Sequence, residues 1–182
     1  SVRDFKQYLR TLTKDESIVE KITIEFKNKK YLDDFVYAES FVLYNQERYG
    51  KNKIRSLLVE KGVAKAIIDE KIELINSNPL ESMLKKDAKS IRKDTYEMAK
   101  ISLLRRYLQK GFNESDISQL IDIHLDKNRF DEKKAIKKHY AIAHKKYQIK
   151  YEGFDLRQKI YGYLSQKGFQ YQDILEILDE SE

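Results

Sequence analysis

Three times along this chain a lysine, a glycine and an apolar residue close one helical stripe and precede another: Lys61-Gly62-Val63, Lys110-Gly111-Phe112 and Lys167-Gly168-Phe169. A helix stopped by a left-handed residue just past its cap favours Gly there, because only Gly takes that conformation without a Cβ penalty. The residue after the Gly then packs back on the residue four before it. Every copy supplies an apolar pair: Val63 with Leu58, Phe112 with Tyr107, Phe169 with Leu164. Apolar residues recur six and ten positions after each Gly, at Ile68 and Ile72, Ile117 and Ile121, Ile174 and Leu178. The intervals of 49 and 57 residues between the turns make the repeat degenerate.

A second repeated signal starts the longer helices. Tyr31-Leu32-Asp33-Asp34 and Arg129-Phe130-Asp131-Glu132 each place an apolar residue before an aspartate that can cap a helix and meet the positive end of its dipole. The unit therefore reads as short helix, Gly turn, second helix, Asp-capped third helix. Apolar residues at three- and four-residue spacing run almost throughout, with a single Pro (Pro79) and few other breakers, so about eleven helices and no strands are expected. The fold class that follows is all-α, an elongated, solenoid-like tandem of three-helix units in which each contacts mainly its neighbours. The expected boundaries are 1–49, 50–93 and 94–150 for three full repeats and 151–182 for a partial one. The first turn, Leu12-Thr13-Lys14, lacks a Gly, and the acidic end from Glu176 to Glu182 is expected to fray.

Composition removes whole classes of chemistry. Cys is absent, which excludes disulfides, thiolate metal sites and cysteine nucleophiles. No apolar run approaches the roughly 18 residues of a membrane span, and no signal-peptide segment opens the chain, so a cytoplasmic protein with no membrane partner is expected. Of three histidines, His124 lies on the Ile117–Leu125 stripe as a core-edge residue, and His139 and His144 stand five apart, on different helix faces. No phosphate-cradling or nucleophile-elbow glycine motif is present. Asp33 and Asp34 are an adjacent acid pair, but a capping role accounts for them. The expectation is a protein without an active site or a cofactor, acting by binding.

Charge points to the kind of partner. The chain carries a net +6, and Lys133, Lys134, Lys137, Lys138, Lys145, Lys146 and Lys150 stand in one segment that holds no acid after Glu132. Lys133/Lys137 and Lys134/Lys138 align at i, i+4, a like-charge arrangement that costs helix stability and favours a polyanion or an acidic partner. Arg105, Arg106 and Lys110 form a smaller basic cluster.

The run from Tyr31 to Val42, with its Leu32-Asp33-Asp34, resembles the leucine–aspartate–aspartate signature of the RecX regulators of RecA. So does its continuation from Arg48 to Val63, and Tyr107–Phe112 and Tyr163–Phe169 are similar to that family's repeated basic-glycine-phenylalanine turns. The likeness spans essentially the whole chain, in the register of the longer Gram-positive type. Ser1-Val2-Arg3-Asp4-Phe5 matches the start of the family's first repeat, so the N-terminal segment is expected to be absent. The resemblance implies a regulator that lies in the groove of the RecA–single-stranded DNA filament and restrains recombination and ATP turnover, expected here as a monomer. The lysine segment as its contact surface follows from charge alone. A rival reading takes 51–60, the Gly62 turn and 64–75 as a helix-turn-helix that binds DNA directly, with Lys65 and Lys71 on its second helix.

Overall fold

The computed structural model describes residues 1–180, and every regular element among them is helical. In chain order the helices are α1 (Val2–Leu12), α2 (Glu16–Asn28), α3 (Asp34–Asn45), α4 (Lys51–Glu60), α5 (Lys65–Glu73), α6 (Leu80–Ser90), α7 (Tyr96–Gln109) and α8 (Glu114–His124). A 3-10 turn at Lys127–Arg129 precedes α9 (Glu132–Tyr147), α10 (Gly153–Gln166) and α11 (Tyr171–Asp179). No helix among the described residues is long and apolar enough to cross a membrane. Several start where the sequence offers a cap. Asp15 accepts from the Ser17 amide at 2.9 Å, Asp33 from Phe35 at 2.8 Å, Thr95 from Met98 at 3.1 Å and Asp131 from Lys134 at 3.0 Å. Asp34 does something else: its carboxylate accepts the Val2 amide at 2.9 Å and so ties α1 to α3.

The chain divides into two compact units, one formed by Ser1–Ser82 with Tyr107–Ile117 and the other by Met83–Arg106 with the chain from Ser118 onward. In the first, Ala38 and Val42 of α3 share a core with Ile54 and Leu58 of α4, Val63 of the turn and Ile68 and Ile72 of α5. In the second, Ala135, Ile136 and Ala143 of α9 share one with Ile160 and Leu164 of α10, Phe169 of the turn and Ile174, Ile177 and Leu178 of α11. The Asp-capped helix therefore leads its trio and does not close the preceding one. Boundaries at 49/50 and 150/151 would part α3 from α4 and α9 from α10, across cores of fully buried aliphatic side chains.

The three glycine turns have the expected form. Gly62, Gly111 and Gly168 have φ of 76°, 83° and 79°. In each, the Gly amide bonds a carbonyl three residues back and the next amide one five back: Val59 and Leu58, Leu108 and Tyr107, Ser165 and Leu164. Conformation is only half of the reason for Gly. Each turn receives the head of another helix. Ser1 Oγ donates to the Lys61 carbonyl at 2.7 Å, the Gly50 amide to the Lys110 carbonyl at 2.8 Å, and Thr95 Oγ1 to the Lys167 carbonyl at 3.1 Å. Residues 1, 50 and 95 are the residues before α1, α4 and α7, and each latch closes within one unit. The approach is close: a Cβ on Gly111 would overlap Lys53 of α4, with the Lys53 Cα 2.8 Å away, and one on Gly168 would lie 2.9 Å from the Glu97 Cβ.

Two turns are made without a glycine. The glycine-free Thr13 ends α1 in an extended conformation, with φ −146° and one amide bonded back to Leu9. After α2 the glycine-type turn forms without a glycine: Lys30 has φ 58°, its amide bonds Lys27, and Tyr31 bonds Phe26 with the two rings 5.9 Å apart. The acidic end does not fray from Glu176. The α11 helix runs to Asp179 with Ile177 and Leu178 buried, and Arg157 of α10 holds Asp179 and the Leu178 carbonyl. Ser181 and Glu182 lie outside the described residues.

Candidate partner-binding surface

The α9 helix buries Ala135, Ile136, His139 and Ala143 against its own trio. Its other side carries Lys133, Lys134, Lys137, Lys138 and Lys145, while Lys146 stands in the angular sector of Ala135 and His139 near the end of the helix; all six are exposed, as is Lys150 in the loop that follows. At 100° per residue the first five form two rows, Lys133 with Lys137 and Lys134 with Lys138 and Lys145.

The rows have different surroundings. Lys133 and Lys137 border an open depression of about 210 Å³ whose other side is Asp173 and Glu176 of α11 and Glu180 just past its end. The segment is acid-free only along its own sequence; the fold supplies three carboxylates from a helix and its end some forty residues on. Lys134 and Lys138 border a second depression, of about 290 Å³, with Lys93, Arg129, Ile91 and Phe130. Its two carboxylates are already engaged. Asp131 caps α9, and Asp94 accepts from Lys138 at 3.3 Å and pairs with His139 Nε2 at 2.9 Å. The bond to His139 and then that to Lys138 hold the Asp94 carboxyl below its ordinary range.

Charge-based reading of the sequence passed over Lys93 and Arg129. Arg129 donates to the Ala88 and Lys89 carbonyls at 2.6 and 3.0 Å, which fixes the 3-10 turn at the end of α6. For Lys93 the signal was compositional: Met83–Arg106 holds eight Lys and Arg against three Asp and Glu. Arg105 and Arg106 are exposed at the end of α7, where Arg106 pairs with Asp87 at 2.7 Å, and neither lines the two depressions beside α9. His139 is a buried core residue, bonded through Nδ1 to Tyr163 Oη at 3.3 Å. Among the described residues no group of three His, Asp or Glu is placed to hold a metal.

Lys71, assigned by the helix-turn-helix reading to a DNA-facing surface, is 4 % exposed. Its ammonium lies 3.4 Å from the Phe35 ring centroid and 3.3 Å from Glu39, so it is a packed cation of the α3–α5 contact. Lys65 remains exposed.

Comparison with known proteins follows the same trios. Residues 33–72 match the second three-helix domain of RecX and residues 140–178 the third. The regulatory protein RecX of Oceanobacillus iheyensis is 30 % identical over 190 residues, spanning 100 % of this chain and 69 % of that protein. The chain belongs to the RecX family. RecX regulatory proteins of Streptococcus agalactiae and Streptococcus pneumoniae are each 27 % identical, over 98 % of this chain and 71 % of their own. No solved structure matches the chain. The second RecX domain match opens on the cap Asp33 and closes on the core residue Ile72, so the family's repeat keeps the phase that packing shows.

Proposed function

We propose that this RecX family member docks on the RecA–single-stranded DNA filament and slows its ATP turnover and strand exchange. The observation that carries the reading is the exposed lysine side of α9, above all the row where Lys134 and Lys138 are joined by Lys93 and Arg129. Four cations meet two carboxylates, Asp94, which Lys138 and His139 hold, and Asp131, which caps α9, so the depression keeps an excess of positive charge for an anionic body. Many weak contacts of this kind add along a filament. Lys133 and Lys137 face acids of their own chain, so they contribute less.

The test is RecA-dependent ATP hydrolysis on single-stranded DNA, followed as the parent, K134E/K138E and K133E/K137E are titrated in. The parent slows hydrolysis. K134E/K138E needs several-fold more protein for the same effect and shows a shallower dependence on salt between about 50 and 200 mM, and K133E/K137E loses less. A parent without effect on hydrolysis, together with equal affinity for bare duplex, overturns the proposal in favour of direct DNA binding. Equal losses from both pairs overturn the choice of row.

A further inference from the structure

We infer that the cleft between α9 and the start of α10 holds an unstacked base of single-stranded nucleic acid, a site that deepens, and rests on, the filament reading above. On α9, Tyr140 and His144 stack with centroids 5.8 Å apart and planes 29° from parallel. At the first turn of α10 stands Phe154, 78 % exposed. Gly153 before it has φ 50°, and a Cβ there would meet nothing within 4 Å, so the glycine serves the chain reversal and not a packing contact. These rings line one depression of about 380 Å³ floored by Ile160 and Leu178, with Arg157 at its wall. That volume is at the small end of ligand pockets, which run to roughly 1,000 Å³; it suits a single planar group and is too small for a helix.

Charge decides between a base and an apolar protein side chain. The lining holds one guanidinium, Arg157, and no carboxylate, and Lys150 in the loop that joins the two helices is exposed. A nucleotide brings a planar ring for the aromatics and, in the same unit, a phosphate for a cation-bearing rim without acids. Stacking tolerates any base, because every base has a π-face, as a regulator acting along arbitrary DNA requires. The cleft and the Lys134/Lys138 row lie on the same unit, and the first reads the base while the second meets charge.

The test is fluorescence anisotropy of a labelled oligo-dT titrated with the parent, F154A and F154W, beside the RecA hydrolysis assay. F154A should bind about thirtyfold more weakly, the middle of the range for one base–ring contact, with an unchanged salt slope, and F154W should keep parental affinity. Phe154 is exposed, so circular dichroism should show the variants folded. Equal binding by parent and F154A overturns the site, as does a parent that binds no oligonucleotide. In that last case, continued slowing of RecA hydrolysis leaves the filament reading standing while the base site falls. An F154A defect in binding DNA-free RecA, with oligonucleotide binding unchanged, would assign the cleft to a protein contact and overturn the site.

Discussion

Gly50 offers a clean measure of how tightly helix heads seat on the lysine-glycine turns. Its φ of −74° and ψ of 163° suit any residue, so Gly50→Ala adds no backbone strain. The added Cβ would instead overlap the Gly111 carbonyl and lie 2.7 Å from the Phe112 amide, both of them backbone and unable to swing aside. Overpacking of this kind costs about 1–3 kcal/mol. Displacing the Gly50 amide from the Lys110 carbonyl costs about 0.5–1.5 kcal/mol more, and Ala is a poorer cap than Gly by about 0.5 kcal/mol or more. The sum is about 2–5 kcal/mol. With a urea slope of roughly 2 kcal/mol/M the midpoint falls by about 1–2.5 M. Urea unfolding followed by far-ultraviolet circular dichroism reads this directly. A midpoint for Gly50→Ala within about 0.2 M of the parent would refute the backbone contact and with it the latch.

Three other outcomes use the same measurement. Gly162→Ala, in the interior of α10 where a Cβ meets nothing within 4 Å, should stabilise by about 0.5–1 kcal/mol. Lys30→Gly, which relieves a left-handed non-glycine residue, should stabilise by about 0.5–1 kcal/mol, less than the full strain because Gly also loosens the unfolded chain. Asp94→Asn should flatten the acid limb of stability. The folded Asp94 carboxyl titrates below its ordinary value, chiefly through His139 and then Lys138, so its contribution is present above about pH 4 and lost as the pH falls through the lowered value. An Asp94→Asn variant that loses stability as steeply as the parent below pH 4 would deny Asp94 that part.

What could be read in advance was whatever closes within one turn of chain. The glycine turns need a left-handed residue and an apolar pair five residues apart, and Asp33 and Asp131 cap amides two or three residues on; all of it lies within a short window. Lys30 makes the same turn but carries no glycine to announce it, since Phe26 and Tyr31 provide enough contact to hold the strain. The role of Gly50 was hidden because its partner is 60 residues away, and its φ asks nothing special of it. The phase of the trios was misread because the glycine turn is the loudest local signal, whereas phase is set by which helix Ala38 and Val42 are buried against. The lysine segment was found, but not the acids of α11 beside Lys133 and Lys137, because local charge counting cannot see a neighbour brought in by folding.

The latches also govern how the chain can change length. Ser1 and Lys61 are 60 residues apart, whereas Thr95 and Lys167, which play the same parts, are 72 apart. Most of the surplus lies in helices. α7 has 14 residues where α1 has 11, α9 has 16 where α3 has 12, and α10 has 14 where α4 has 10. Each of these increments is three or four residues, close to one helical turn of 3.6, while α8 is the exception, two residues shorter than α2. Growth by whole turns returns every later side chain to the face it held before, so a helix can lengthen while its buried stripe and its end stay in register. One- or two-residue insertions would rotate the stripe by 100° or 200° and pull a helix head off its carbonyl. A chain joined in this way can lengthen between its joints in steps of about one turn.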